Sequence, residues 1–333
     1  MFKSIASICP IAFVFLTLPF SAIGSEYSAL LTPSGQPDIQ GNWTSGTITP
    51  FVRPEELGEK KSYSQEEATE LEQARLIELE VRAAPLKGTI SAPEATLFVD
   101  NSAEDQFKHN TSNLLTIDGE VRTSIIVDPL NGRLPLRDDG MDNTFDGKWL
   151  AAGFGEFDGP ELAGPGPRCL IDFGALPPAG PIVPISPNFQ FVQTENYVLL
   201  YIEAGAELRI IRLDGEHLLD PGGKWRGDSI GHWEGNTLIV HTNNFNPQSS
   251  APQLRMSESL EVDERFTIIS RNEIFYQFTI TDMNVYTQPF SGELILGRMP
   301  DGAKLYDYAC HEGNYSLPGI LAGARRQEQD AAN

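Results

Sequence analysis

The strongest constraint on the fold comes from eight short strand-like segments in the second half of the chain. They follow one another without a helical pattern between them, and each is bounded by Gly, Asn, Asp or Pro. Strands at this spacing are typical of antiparallel sandwiches and barrels. The segments comprise residues 189–194, 197–204, 208–213, 237–245, 259–269, 273–283, 291–298 and 304–310.

A ninth strand is predicted around Trp43, which follows Gly41 and one intervening residue. A glycine lets the backbone approach closely at this point, and the indole can plug one end of a barrel. Eight strands in sequence plus this one suit an all-β fold, in which an antiparallel meander closes into a barrel with a ligand-sized interior.

The N-terminus has the features of a signal peptide: Lys3, an apolar stretch over residues 5–20, and Ala22-Ile23-Gly24 before the expected cleavage. The alternative interpretation is a buried N-terminal helix. We expect residues 1–24 to be removed on export. Residues 25–333 are then expected to form a single β-rich domain, in which 53–188 are an inserted helix and loops. The expected location is periplasmic or secreted, with no membrane span in the mature chain.

Charge and motifs exclude several classes of partner. The formal charge is −22, from 46 acidic and 24 basic residues. Such a surface repels nucleic acid and anionic lipid, so nucleic-acid binding is not expected. The sequence contains no nucleotide-binding loop or nucleophile elbow, and we expect no organic cofactor. His217, His232 and His311 match no local metal-binding spacing, so no metal site is predicted.

Outside the strands, one surface helix and one long excursion are predicted. Ser64 and Glu67 form a capping box before a run of good helix formers that ends near residue 83. Residues 138–187 are rich in Gly, Pro and Asp, which favours an ordered excursion over a regular element. Cys169 and Cys310 remain after cleavage and predict a disulfide in an oxidising compartment, with two buried thiols as the alternative.

The first candidate site is the segment 227–236, which joins two predicted strands. It carries Asp228, His232 and Trp233 among three glycines. Function concentrates in loops that a rigid scaffold holds in place. The alternative is a structural turn, because Gly-rich turns between strands are needed whatever the function.

The second candidate site is the segment 306–315, which is predicted to end the last strand. His311 beside Glu312 could form an acid–base pair, and Tyr308 could donate a hydrogen bond to an oxyanion. The alternative is a disulfide corner, in which Cys310 pins the end of the strand and the polar side chains face solvent.

The third candidate is Glu264, which alternation places on the apolar face of its strand beside Val262 and Phe266. A carboxylate there is desolvated, so its pKa should rise unless it is paired. Arg265 points to the other face and is not an easy partner.

Several motifs together resemble a family of uncharacterised secreted bacterial proteins. The resemblance covers most of the mature chain and implies no activity. The chain departs from the family pattern at His232 and Asn236, where Arg and Asp are expected. The motifs are Gly227-Asp228-Ser229, Trp233-Glu234-Gly235, Glu264-Arg265-Phe266 and Cys310-His311-Glu312-Gly313-Asn314-Tyr315.

A looser resemblance, in Gly41-x-Trp43 and the meander, is to lipocalin-like barrels. That group includes binders of apolar molecules as well as cofactor-free hydratases and cyclases. The resemblance implies a ligand inside the barrel.

The leading hypothesis is an enzyme of the hydratase, lyase or isomerase type that acts on a small, largely apolar molecule. Asp228 and Glu264 would be its acid and base, and Glu264→Gln would abolish turnover but spare folding. The remaining candidates are His311 and Glu312 for catalysis, and Tyr308, His232, Trp233 and Tyr276 for substrate binding.

Two alternatives remain open. One is a binding or carrier protein that uses the same cavity and needs no ionisable pair. The other is a glycan-acting protein, which requires Trp225 and Trp233 on an exposed groove with two carboxylates suitably spaced.

Overall fold

The computed structural model describes residues 27–83, 111–170, 187–218, 222–250 and 254–332. Within these ranges the α-helices are α1 (Gln65–Ala83), α2 (Phe145–Ala151) and α3 (Ser316–Ala331). The strands are β1 (Gly41–Thr44), β2 (Ser62–Tyr63), β3 (Thr116–Ile117), β4 (Glu120–Arg122), β5 (Ile126–Asp128), β6 (Asn188–Gln193), β7 (Tyr197–Ile202), β8 (Glu207–Leu213), β9 (Asp228–Glu234), β10 (Thr237–Asn243), β11 (Glu261–Ser270), β12 (Glu273–Thr281) and β13 (Phe290–Arg298).

Nine of these strands form a closed barrel, which confirms the predicted all-β barrel fold. The ring runs β1-β6-β7-β8-β9-β10-β11-β12-β13 and closes where Trp43 of β1 pairs with Arg298 of β13. Strand β5 adds to β13 outside the ring, and β2, β4 and β3 form a small separate sheet. Because β1 pairs directly with β6, the residues between them leave the ring and return to it.

The barrel contains one parallel pair, β8 and β9, whereas the sequence predicts an antiparallel meander throughout. Strand direction must reverse an even number of times around a closed ring, so nine strands require at least one parallel contact. A parallel neighbour needs a long crossover, and the described parts of this connection are residues 214–218 and 222–227.

Two predicted elements are corrected. The segment 228–234, predicted to belong to a loop, is strand β9, and residues 304–310, predicted as a strand, contain no strand. The total of nine barrel strands is therefore right, although one member was misplaced.

Side chains that point inward fill the barrel. Phe191 lies 5.5 Å from Phe266, and Phe266 lies 4.6 Å from Tyr276, measured between ring centroids. Each of these rings is 0–1% exposed, so no water-sized space adjoins them. The expected ligand-sized interior is therefore replaced, at this level of the barrel, by close-packed aromatic rings.

Gly41 and Trp43 lie in β1, where the ring closes against β13. The Trp43 indole is buried and donates a hydrogen bond to the Ile39 carbonyl oxygen at 3.0 Å. The Arg298 guanidinium lies 4.1 Å from the centre of the Trp43 ring, a cation–π contact. A side chain at Gly41 would collide with this guanidinium, and its φ of 129° favours glycine.

The predicted capping box and disulfide are both confirmed. The Glu67 amide donates to Ser64 Oγ at 3.2 Å, and the Ser64 amide donates to Glu67 Oε2 at 2.8 Å. Cys169 and Cys310 are bonded across 141 residues of sequence, so the Gly/Pro-rich excursion is fixed to the segment that follows the barrel.

Helix α3 was not predicted. Its first turn contains Pro318 and Gly319, which are poor helix formers in a helix interior, although proline is tolerated in a first turn. In the described part of the chain, no helix combines the length and apolar character needed to cross a membrane.

Candidate functional site

Glu264 lies inside the barrel with no exposed surface, as its alternation in β11 predicts. Its partner is Arg209 of β8, which is 2% exposed and also points inward. Arg209 Nη1 donates to Glu264 Oε1 at 3.0 Å, and Nη2 donates to Glu264 Oε2. This two-pronged contact is the strongest ordinary form of a guanidinium–carboxylate pair.

Two further donors of Arg209 bind hydroxyl groups. Arg209 Nε donates to Ser229 Oγ at 3.0 Å, and Nη2 donates to Thr242 Oγ1 at 2.7 Å. The two hydroxyls lie 2.9 Å apart, and the Tyr276 hydroxyl donates to Glu264 Oε1 at 2.9 Å. The resulting network crosses the inner wall from β8 to β12.

Both charges of this network are held in place. Burial opposes the charge on Arg209, but attraction and hydrogen bonds from Glu264 outweigh it and raise the pKa of the guanidinium above its usual value. Glu264 is thus a paired carboxylate, whose partner Arg209 was not anticipated. The arrangement joins strands β8 and β11 across the barrel interior and pairs Glu264 with a cation, which disfavours its protonation.

Asp228 is the centre of a second polar cluster, on the outer face of the barrel at the start of β9. It is 1% exposed because its partners surround it. Arg212 donates to both carboxylate oxygens, from Nη1 to Oδ1 at 2.9 Å and from Nη2 to Oδ2 at 2.8 Å. Lys224 Nζ donates to Oδ1 at 2.7 Å. His217 Nδ1 and the Leu218 amide each lie 3.0 Å from Oδ2.

These contacts keep Asp228 ionised. The hydrogen bonds from Arg212 above all, and those from Lys224, the Leu218 amide and His217, hold the pKa of Asp228 well below its usual range. Burial acts in the opposite direction and is outweighed. A carboxylate this strongly stabilised as an anion is a poor general base near neutral pH.

Two histidines lie side by side next to Asp228. The ring centroids of His217 and His241 are 5.1 Å apart in an edge-to-face arrangement. Asp263 Oδ1 accepts a hydrogen bond from His241 Nδ1 and so raises the pKa of His241, while burial lowers it by a smaller amount. Among the described residues, no group of three or more His, Cys, Asp or Glu side chains is arranged to hold a metal ion.

Asp228 and Glu264, the predicted acid and base, are on opposite sides of the barrel wall. Asp228 points outward from β9, whereas its neighbour Ser229 points inward and joins the network of Glu264. Each carboxylate has its own arginine. The structure therefore does not bring the two together as a catalytic pair.

The other predicted residues are dispersed. His311 and Glu312 are exposed in a turn at the disulfide corner, and Tyr308 beside them is half-buried. His232 is exposed on β9 and pairs with Glu234 at 3.2 Å. Among the predicted side chains, Tyr276 and Glu264 are brought together by a hydrogen bond of 2.9 Å.

The two tryptophans of the glycan hypothesis lie in different depressions. Trp225 borders a groove over β8, and Trp233 borders a separate depression of about 460 Å³ beside His232 and His241. Both indoles are half-buried. A shared exposed groove with both rings, which that hypothesis requires, is not formed.

An open groove of about 640 Å³ lies on the outer face of the barrel where the wall has a gap. Strand β9 pairs with β8 only at residues 211–213, so residues 207–210 of β8 have a partner strand on the β7 side alone. The crossover 222–227 passes opposite this stretch. Arg209 and Ser229, two buried members of the interior network, border the groove at this gap.

The lining of this groove, which we call the β8 groove, is largely apolar. Five of its side chains are 37–53% exposed although they are hydrophobic: Leu170, Tyr197, Leu208, Ile210 and Leu218. Its polar rim is formed by Arg212, Lys224, Arg226, Glu207 and Asp228. Leu170 adjoins Cys169, so the disulfide helps to place one wall of the groove.

Sequence reasoning missed Arg209 and the partners of Asp228. A signal for Arg209 is present, because Arg209, Ile211 and Leu213 alternate in β8 just as Glu264 alternates with Val262 in β11. Arg212, His217 and Lys224 carry no comparable signal. They meet Asp228 only through the parallel pairing and its crossover.

Comparisons with protein-family models, with curated proteins and with solved structures find no match to this chain. The closed barrel is consistent with the looser, lipocalin-like resemblance, which rests on Gly41, Trp43 and the strand pattern. The resemblance to secreted bacterial proteins remains a prediction.

Proposed function

We propose that this protein binds a small, largely apolar molecule in the β8 groove and carries or stores it unchanged outside the cytoplasm. The observation that supports this proposal is the group of exposed hydrophobic side chains that line one groove. A volume of about 640 Å³ is within the range of small-molecule sites. Contiguous exposed apolar surface on a folded chain commonly marks a site of binding.

The state of the carboxylates favours binding over acid–base chemistry. The hydratase, lyase or isomerase hypothesis requires a carboxyl group that exchanges a proton. Glu264 is bound by Arg209 and Tyr276, and Asp228 by Arg212, Lys224 and His217. Pairing with an arginine disfavours the protonated form of a carboxylate, through which such an exchange must pass.

Export is part of the same proposal. The features of a signal peptide at residues 1–24 predict it, and the disulfide between Cys169 and Cys310 is compatible with an oxidising compartment. A periplasmic or secreted carrier would take up its apolar ligand from aqueous solution, and the open β8 groove is accessible from solution.

The test measures the affinity of the full mature chain for an uncharged, largely apolar probe, 1-decanol, by isothermal titration calorimetry. Leu208→Asp places a charge in the middle of the groove and is expected to weaken binding by roughly tenfold or more, because burial of a charge against an apolar ligand is costly. The matched control is Leu136→Asp, an exposed leucine away from the groove with a similar exposure of 48% against 53%.

The control variant should bind like the unaltered protein. The proposal is wrong if the unaltered protein binds no decanol, or if Leu136→Asp and Leu208→Asp weaken binding equally. Circular dichroism of both variants, compared with the unaltered protein, shows whether the barrel is retained.

A further inference from the structure

The rim of the β8 groove carries more positive than negative charge, on a chain whose total charge is −22. Asp228 is shared by two cations, Arg212 and Lys224. The other rim pair, Arg226 with Glu207, is one cation to one anion. Three cations against two carboxylates leave one positive charge on the rim, and the buried Arg209 is already balanced by Glu264.

Lys224 is the cation best placed to carry this excess. Its side chain is 35% exposed, compared with 22% for Arg212 and 12% for Arg226. Among the described residues its ammonium has one acceptor, Asp228 Oδ1 at 2.7 Å. An ammonium group has three donors, so Lys224 can bind a second anion without giving up Asp228.

The order of side chains along β8 gives the groove a direction. Leu208, Ile210 and Arg212 alternate on the outer face of the strand, and the first two are 53% and 49% exposed. Leu208 and Arg212 are four residues apart, which corresponds to about 13 Å along a strand. The apolar part of the groove thus leads to the cationic cluster around Asp228.

We infer that the ligand of the β8 groove is a monoanionic amphiphile of the fatty-acid type. Its apolar chain lies along Leu208 and Ile210, and its carboxylate binds the Lys224 ammonium beside Arg212. This inference rests on the proposed function and adds the class of ligand. Because most of the surface repels anions, recognition depends on this local cluster and the charge-assisted hydrogen bonds that it offers.

The test compares three ligands with the same chain length and different head groups: decanoate, 1-decanol and decylammonium. Affinities are measured by isothermal titration calorimetry on the full mature chain at neutral pH. Decanoate is expected to bind about tenfold more tightly than decanol, and decylammonium more weakly than decanol.

Lys224→Met is expected to remove the preference for decanoate over decanol. Lys224→Arg, which keeps the charge, should retain most of the preference. The matched control is Lys148→Met. The Lys148 side chain lies outside the groove, is 48% exposed and forms a comparable ion pair with Glu258 at 2.9 Å. In that variant the preference for decanoate should be intact.

Each result has one meaning. Equal affinities for decanoate and decanol would contradict the inference that the ligand is an anion, but would remain consistent with an apolar binding site in the groove. A preference for decanoate that survives Lys224→Met, or that is lost equally in Lys148→Met, overturns the assignment of the carboxylate to Lys224. If none of the three ligands binds, the proposed function itself fails.

Discussion

Arg209 and Glu264 form a two-pronged ion pair inside the barrel, across the two strands that lie between β8 and β11. Both side chains are at most 2% exposed. Their remaining polar atoms are bonded to Ser229, Thr242 and Tyr276, so the network is well satisfied although it is surrounded by aromatic rings. A buried pair of this kind fixes the relative position of the strands that it joins.

Glu264→Gln should destabilise the protein strongly, because it leaves the Arg209 cation buried without its anion. Removing one partner of a buried ion pair typically costs about 3–5 kcal/mol in the free energy of unfolding. Urea denaturation at neutral pH measures this loss. The matched control is Glu258→Gln, which removes a surface pair with Lys148 and should cost less than about 1 kcal/mol.

The double variant Arg209→Met with Glu264→Leu should be markedly more stable than Glu264→Gln alone. Apolar groups of similar volume can replace a buried pair at little cost, since they remove both charges together. A Glu264→Gln variant as stable as the Glu258→Gln control would contradict the role of the pair as a brace.

Asp228→Asn should destabilise the protein by an amount that depends on pH. The folded-state pKa of Asp228 is lowered by its hydrogen bonds to Arg212, Lys224, the Leu218 amide and His217. The stability that these contacts provide is therefore present above the unfolded-state pKa, about 4, and is lost as the pH falls below it.

The free energy of unfolding of Asp228→Asn should be lower than that of the unaltered protein by roughly 2 kcal/mol at pH 7. This is less than the cost of breaking a fully buried ion pair, because Arg212 and Lys224 are partly exposed. The difference should shrink as the pH is lowered from 4 toward 2. Urea denaturation at a series of pH values measures it, and a difference independent of pH would be inconsistent with the lowered pKa.

The double variant Cys169→Ser with Cys310→Ser should unfold at a lower temperature and bind apolar ligands less tightly. The crosslink spans 141 residues, and closing a loop of this length lowers the conformational entropy of the unfolded chain by about 5 kcal/mol at 25 °C. Leu170 lines the β8 groove beside Cys169, so release of the crosslink should also loosen that wall.

Differential scanning calorimetry and titration with decanol measure the two effects. The unaltered protein treated with a thiol reductant should match the double variant in both. An unchanged unfolding temperature would show that the crosslink has no influence on stability.

The closed barrel and its first strand could be predicted from local patterns. Alternation and turn residues identify seven of the eight later segments, and the Gly41–Trp43 spacing identifies β1. Strand β9 was missed because Gly231 interrupts its apolar alternation and Gly227 and Gly235 flank it. Those glycines look like a loop in the sequence, whereas in the fold Gly231 faces inward against Ile211 and the Ile239 carbonyl.

The candidate site was harder to predict because it depends on pairing between distant strands. Alternation correctly placed Glu264 in the interior, and the same rule applied to β8 would have identified Arg209. No local rule places Arg212 beside Asp228. Their contact follows from the parallel alignment of β8 with β9, in which Arg212 is opposite Ile230.

The most direct test of the account is a methyl NMR titration of the full mature chain with decanoate. A ligand in the β8 groove should shift the methyl resonances of Leu208, Ile210 and Leu218. The methyl resonances of Leu238 and Leu294, which are 0% and 2% exposed in the barrel interior, should change little. Shifts confined to the interior methyl groups would place the ligand inside the barrel and contradict the account, as would the absence of any shift at saturating ligand.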